Sequence, residues 1–399
     1  MPVTITDGYG TTVRPGMMHE QGAVALRVSD GGALALAPGL PSGVASVTFA
    51  LASTVSTQAL VAGSGRVTVA ATVASSSAAM IAAHARADVR VTAAMVLDAQ
   101  VEGLGAVDVA VSASAAAHFR IQDVLPAATG GTVTDITDPN DGLAYRVHTF
   151  TGDGTLEVNE AIDVEYLLVA GGAGGGSRYG AGGGAGGLIT NLGGTKLALS
   201  PGSRTITVGS KGLGGAPGTN DGTQGGDTVA LGLTALGGGY GRHRFSAYVS
   251  GAGDGGSGSG EPANRNNAGL GLQPASADGG LGHDGGLRGP SGRSGGGGGA
   301  GSTPAIPDVS GAHGGDGIFS TITGTSQAYA GGGAGASAVS GDAKGLGGSC
   351  VGGDGDTIDH LSGGGDAVAN TGSGGGGGGD SSLPGGDGSA GIAIIRYRI

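Results

Sequence analysis

The chain has 399 residues, 95 of them glycine and 14 proline, and a formal net charge of −12. Uninterrupted glycine runs such as residues 295–299 and 374–379 break the register of one glycine in every three that collagen requires, so collagen is excluded. The acidic balance disfavours nucleic acid and anionic lipid as partners, because phosphate binding needs a basic face.

The sequence contains no pattern that predicts a metal site, an intramolecular disulfide or a membrane-spanning segment. Cys350 is the single cysteine, so no intramolecular disulfide can form, and nothing resembles a Cys/His metal site. No apolar run approaches the roughly 20 residues that span a bilayer, and the first residues lack the apolar stretch of a secretory signal. We therefore expect no cofactor, no metal and no membrane insertion, and assembly in the cytoplasm.

Residues 1–42 consist of short apolar patches separated by glycine and proline turns. Residues 24–28 and 34–36 are predicted strands, and the Ser-Asp-Gly-Gly segment at 29–32 predicts a hairpin between them. We interpret this all-β piece as an N-terminal attachment segment.

Residues 43–124 alternate small apolar and small polar side chains, with Val-x-Val pairs that start at Val67, Val89 and Val107. Their Gly-x-Gly or equivalent openings are spaced 20 residues apart, which predicts stacked β repeats. Because such small side chains form little core in one chain, we expect a shaft of three identical chains, a homotrimer. A helix over the alanine-rich residues 75–87 is the alternative.

Residues 125–165 predict a turn-rich joint and a hairpin. Strands are expected at 145–150 and 155–158, joined by the turn at 151–154. A further strand at 166–170 then enters nearly pure glycine, and the glycine-rich part, residues 166–399, ends in a strand from residue 392. Flexible glycine linkers have no reason to carry the apolar segments that punctuate this part, so an ordered module is favoured over disorder.

Long glycine runs can form the left-handed polyglycine II helix, which has three residues per turn, a rise of about 3.1 Å and no internal hydrogen bonds. When such helices pack side by side, the backbone groups bond between neighbours, and only glycine permits that approach on all sides. Packed interior helices are predicted at residues 171–176, 182–187, 295–301, 331–335 and 374–379. The segments between the runs are then connecting loops, where recognition usually lies.

Four motifs in order resemble the glycine-rich domain of tailed-bacteriophage tail-fibre and adhesin proteins over residues 145–399. They are FTGDGT at 150–155, VEYLLVAGG at 164–172, ITVG at 206–209 and GIAIIRY at 391–397. The resemblance implies a sandwich of polyglycine II helices whose distal loops bind a receptor, protein or glycan, on the host cell. It also implies a virion-tail location and other virion tail proteins as partners. Receptor loops differ between members of this family, so no binding residue transfers.

Candidate receptor-binding residues are the aromatic, arginine and amide interruptions that glycine packing cannot use. They are Tyr240, Arg242, His243, Arg244, Phe245 and Tyr248 in one segment, with Arg178, Tyr179, Asn264 and Arg265 elsewhere. Solvated loops or trimer contacts are the alternative for each of them.

No catalytic residue is predicted. Matches to nucleotide-binding glycine motifs are expected by chance in this composition, and the histidines fit no catalytic arrangement. The sequence thus predicts a non-enzymatic tail-fibre or tail-tip adhesin. A structural virion fibre, capsid-decorating or in the baseplate, is the alternative, and a depolymerase is a third hypothesis.

Overall fold

The structure is a computed structural model. It describes residues 126–399, apart from 247–248, 265–266, 308–310, 361 and 381, and eleven strands before residue 126. The chain divides into two compact units, Met1–Pro126 and Ala127–Ile399. Among the described residues there is no α-helix, and strands are the main regular element, which confirms the all-β prediction.

The strands of the first unit form two sheets. In chain order they are β1 (Ile5–Thr6), β2 (Val24–Ser29), β3 (Leu34–Ala35), β4 (Val47–Ser53), β5 (Gln58–Gly63), β6 (Val67–Val73), β7 (Ser77–Ala83), β8 (Ala87–Ala93), β9 (Leu97–Gly103), β10 (Val107–Ala113) and β11 (Ala117–Gln122). One sheet has the order β1-β2-β4-β6-β8-β10 and the other β11-β9-β7-β5-β3.

The 20-residue period is visible in the strand register. Val67 pairs with Ala87, and Ala87 with Val107, all in parallel strands. Each repeat therefore contributes one strand to each sheet, and the alanine-rich residues 77–83 are a strand rather than a helix. The repeats pair with one another along one chain, while association into a trimer stays a prediction.

The predicted hairpin between residues 24–28 and 34–36 is wrong, although both strands exist. β2 pairs with β1 and β4, whereas β3 pairs in parallel with β5 in the other sheet. β2 and β3 each pair in parallel with a strand of the following repeat, and these pairs form instead of the antiparallel hairpin between β2 and β3.

In its described residues, the second unit combines thirteen short strands with glycine-rich segments. The strands are β12 (Ala128–Thr129), β13 (Thr132–Thr137), β14 (Ala144–Phe150), β15 (Gly154–Val158), β16 (Ile162–Val169), β17 (Leu188–Thr190), β18 (Leu197–Leu199), β19 (Gly202–Ile206), β20 (Thr228–Ala230), β21 (Leu233–Ala235), β22 (Ile318–Ser320), β23 (Gln327–Tyr329) and β24 (Ile392–Arg398). Three single 3-10 turns lie at Gln273–Ala275, Pro290–Gly292 and Gly348–Cys350.

The two strands that bracket the glycine-rich part pair with each other. β16 and β24 are antiparallel neighbours at the centre of the sheet β13-β14-β24-β16-β17, with Leu167 opposite Ile394. Leu168 and Ile395 pack in one apolar cluster and Leu167 and Ile394 in another, so this sheet is covered on both faces.

The predicted hairpin between residues 145–150 and 155–158 is also wrong. β14 pairs with β13 and β24, whereas β15 pairs with β12 and β19 in a second sheet. Phe150 and Leu156 lie buried in the same apolar cluster between the two sheets. Burial of both side chains favours a crossing between sheets over a hairpin.

The five predicted glycine runs form neither helix nor strand in the structure, and all their residues except Gly301 are buried. Their hydrogen bonds rotate through the neighbouring segments with a period of three residues. Within residues 182–187 the N–H groups bond in turn to the carbonyls of Gly295, Gly375, Gly239, Gly298, Gly372 and Leu236. Residues three apart thus bond to the same neighbour.

The run at 182–187 lies at the centre of the array. It exchanges backbone hydrogen bonds with six other segments, which contain Ala173, Gly239, Ser257, Gly295, Gly333 and Gly375. A Cβ placed on Gly182 would lie 2.1 Å from the carbonyl oxygen of Gly333, and one on Gly184 would lie 2.2 Å from that of Ser257. Glycine is required here because backbones pack directly against backbones.

Candidate functional site

The glycine array has a strand end and a loop end. Residues 171–176 leave β16 and residues 182–187 return to β17, so residues 177–181 turn at the end opposite the strands. Residues 237–241 leave β21 in the same direction and place residues 242–246 at that loop end. Two candidate segments far apart in sequence therefore meet there.

Arg178, Tyr179, Arg244 and Phe245 pack together at the loop end, and we call them the tip cluster. The guanidinium carbon of Arg178 lies 4.7 Å from the centre of the Phe245 ring. That of Arg244 lies 5.5 Å from the Tyr179 ring and 5.7 Å from the Phe245 ring. Phe245 is 50% exposed, while Arg178 and Arg244 are half-buried beside it, so the cluster presents an aromatic face and two partly exposed cations to solvent.

The backbone that carries the tip cluster is held in a sparsely populated conformation. Arg178 and Tyr179 both have left-handed φ angles, 46° and 49°. Such residues persist only where the surroundings determine them. The Ser177 hydroxyl donates to the Asn220 carbonyl at 3.0 Å, and the Ser294 hydroxyl donates to the Tyr179 carbonyl at 2.7 Å.

The second loop of the tip cluster is fixed by Asp221. Its carboxylate accepts the N–H of His243 at 2.8 Å and the hydroxyl of Ser246 at 3.0 Å. Burial lowers the pKa of His243, with Asp221 opposing this effect and Arg178 adding to it. His243 is therefore held as a largely neutral, half-buried part of the loop at neutral pH.

Arg242 does not belong to the exposed surface. It is only 1% exposed, and its Nη2 donates to the carbonyl of Asn267. Burial lowers its pKa, and its Nε and Nη1 have no hydrogen-bond partner among the described residues. A side chain buried in this way can stabilise the adjacent loop but is not accessible to a receptor.

The remaining candidates are dispersed. Asn264 is exposed on a neighbouring loop, where Ala263 donates its N–H to the Ser294 hydroxyl at 3.0 Å. Tyr240 is half-buried within its glycine-rich segment. Tyr248 and Arg265 lie outside the described residues.

Sequence reasoning did not single out Asp221, Ser294 or the buried ion pair between Arg293 and Asp342. Two hydrogen bonds of 2.7 Å join that pair and connect the turn at 290–293 to the segment at 338–342. One sequence feature could have indicated such residues: polar residues border the glycine runs, as Ser294 borders the run at 295–301.

The described part of the chain contains no group of three metal-ligating side chains. It also contains no helix long and apolar enough to cross a membrane.

A comparison with protein families matches residues 149–398 to the family described as glycine-rich domain. The match covers more than half of the chain and includes the strands from β15 to β24, the glycine array and the loop end. The chain therefore belongs to this glycine-rich domain family. No curated protein matches the chain.

Proposed function

We propose that this protein is a tail-fibre or tail-tip adhesin of a tailed bacteriophage that recognises the host bacterial surface through the loop end of its glycine array. The tip cluster carries this proposal. It holds arginine and aromatic side chains, which commonly anchor interfaces, at an exposed end of a backbone-bonded scaffold. The motifs shared with phage fibre proteins support the same assignment.

The scaffold of the adhesin is, in this proposal, a bundle of polyglycine II helices. The three-residue hydrogen-bonding period and the contacts to six neighbours support it, because a three-fold left-handed helix directs successive N–H groups to different neighbours. None of the glycines in the five runs has a positive φ, which also fits this conformation.

The first unit is, on this proposal, the shaft, trimeric in the virion, with residues 1–42 as the segment that docks on other tail proteins. The parallel 20-residue repeat supports an elongated part, since each repeat extends the same two sheets.

A structural virion fibre that touches only other virion proteins is the second candidate. Exposed aliphatic side chains on the outer segments of the array favour it: Leu213, Leu270, Leu287, Ile306 and Leu346 are each at least half exposed. Apolar side chains distributed in this way suit contacts along the fibre.

Binding of the fluorescently labelled full chain to cells of the host bacterium separates the two candidates. The adhesin proposal expects saturable binding that unlabelled protein displaces. A folded protein that ignores cells which the virus infects would favour the structural fibre.

A further inference from the structure

We propose that the tip cluster binds an anionic sugar, through a carboxylate or phosphate group of a cell-surface glycan held between Arg178 and Arg244. This inference rests on the proposed function and names the chemistry that its loop end would recognise.

The first argument is the missing counter-charge. Four other described arginines pair with carboxylates, whereas Arg204 and Arg242 bond to backbone carbonyls. The four pairs are Arg146 with Asp135 at 2.7 Å, Arg288 with Glu261 at 3.3 Å, Arg293 with Asp342 at 2.7 Å and Arg396 with Glu165 at 2.8 Å. Among the described residues, Arg178 and Arg244 have no such partner, and the Nε of Arg244 is buried without a hydrogen bond. In a chain of net charge −12, two neighbouring arginines without a carboxylate partner form a local concentration of positive charge.

The second argument is geometry. The guanidinium carbons of Arg178 and Arg244 lie 4.7 Å and 5.7 Å from the centre of the Phe245 ring, so both cations flank one aromatic side chain. A guanidinium beside a ring can keep an N–H edge available in its own plane, which for Arg244 is the edge of its Nη groups because its Nε is buried. Two such edges on one ring suit a carboxylate or phosphate, which accepts paired, charge-assisted hydrogen bonds.

Asp221, which fixes the second loop of the tip cluster, forms no ion pair with either arginine among the described residues. Asp221 is engaged by the His243 N–H, by the Ser246 hydroxyl and, at 3.8 Å, by the His243 ring. Its oxygens hold the loop rather than the arginines, so the positive charge of the tip cluster stays available to a ligand.

The third argument favours a sugar as the carrier of the anion. Phe245 leaves half its surface exposed beside the arginines, and Tyr179 is half-buried next to it. Aromatic faces of this kind contact the C–H face of a sugar ring while polar neighbours bind its substituents. Nucleic acid is disfavoured because the rest of the chain would repel its phosphates.

The test is calorimetric titration of the full chain with tetragalacturonate as the carboxylate probe, mannose 6-phosphate as the phosphate probe and maltotetraose as the neutral control. We expect binding of at least one anionic probe, weakened by salt, and none of maltotetraose. The double variant Arg178→Gln, Arg244→Gln should weaken that binding at least tenfold. Glutamine leaves the strain at position 178 unchanged, and an unaltered thermal midpoint would verify the fold.

Arg204→Gln is the matched control, because Arg204 bonds to the carbonyls of Ser200 and Ser203 near the strand end and should leave binding unchanged. Failure of both anionic probes to bind at millimolar concentration, equal binding of the neutral probe, or full affinity in the double variant would each overturn the inference. Cell binding distinguishes this failure from failure of the adhesin proposal. If the double variant still binds cells, the anionic-sugar inference is contradicted but the adhesin proposal is not. If the protein binds the anionic sugars but no cells, the adhesin proposal is contradicted but the inference is not.

Discussion

At the scale of single residues, the glycines differ sharply in whether the surrounding structure leaves space for a side chain. Gly182 faces the carbonyl oxygen of Gly333 so closely that a methyl group would collide with backbone, whereas Gly152 has no atom within 4 Å of the corresponding position. The two residues therefore form a natural pair for substitution.

We expect Gly182→Ala to lower the free energy of unfolding by more than about 3 kcal/mol, because two backbone segments would have to separate. Gly152→Ala should change it by less than about 1 kcal/mol, in either direction. Urea denaturation of the two variants measures the difference. Equal midpoints would contradict the close backbone packing of the array.

A buried ion network lies in the sheet beside the array. Arg396 is 4% exposed in its side chain and contacts the Glu165 carboxylate at 2.8 Å and the Asp138 carboxylate at 2.7 Å. Its guanidinium also lies 4.3 Å from the centre of the Tyr145 ring. Burial works to raise the pKa of Asp138, but hydrogen bonds from the Asn140 N–H and from Arg396 outweigh it and hold that pKa below its usual range.

This network makes the free energy of unfolding depend on pH in the acidic range. Because the folded pKa of Asp138 lies below the unfolded value of about 3.9, its contribution is complete above that pH and is lost as the pH falls through the folded pKa. We expect Asp138→Asn to be less stable than the parent at pH 7, by about 1–3 kcal/mol, and the gap to shrink below pH 3. Urea midpoints at several pH values test this. A gap independent of pH would show that Asp138 does not act through its charge.

At the scale of elements, the repeat of the first unit fixes which deletions the sheets tolerate. Partners in each sheet lie 20 residues apart, so removal of residues 77–96 would let β6 pair with β10 and β5 with β9. We expect this variant to retain its β circular dichroism and a cooperative melt. Removal of residues 77–91 breaks the register and should lower the melting temperature by several degrees. Equal melting of both variants would contradict the register.

Much of this element pattern could be predicted from the sequence. Apolar alternation located β6, β8 and β10, and uninterrupted glycine located the buried runs, because each pattern has one dominant packing solution. Both hairpins were mispredicted, because turn residues such as those at 29–32 and 151–154 serve equally well between strands of different sheets. Pairing is then decided by distant partners.

The tip cluster shows a further limit. Both of its segments stand out in the sequence by composition, but the contact between Arg178 and Phe245 depends on which glycine-rich segments are neighbours in the array. The same dependence separates Arg242, which is buried, from Arg244, which is partly exposed two residues later. In segments that bond to several neighbours, position along the chain does not reveal which side chain faces solvent.

At the scale of the whole molecule, the trimeric shaft is open to a direct measurement. We expect light scattering of the purified full chain to give three times the 37.3 kDa mass of one chain, since the small side chains of residues 43–124 favour association. A monomer mass at micromolar concentration would contradict the trimer and leave the paired sheets of one chain as the complete shaft.

The six partners of the central run also set the order in which the second unit can fold. Residues 182–187 bond to segments as distant as Gly375, and β24, from residue 392 onward, lies between β14 and β16. Neither the array nor its sheet is complete until the ribosome has released β24 at residues 392–398. Hydrogen bonds between segments so far apart in sequence make folding slow and cooperative. During synthesis, the earlier segments lack their hydrogen-bonding partners.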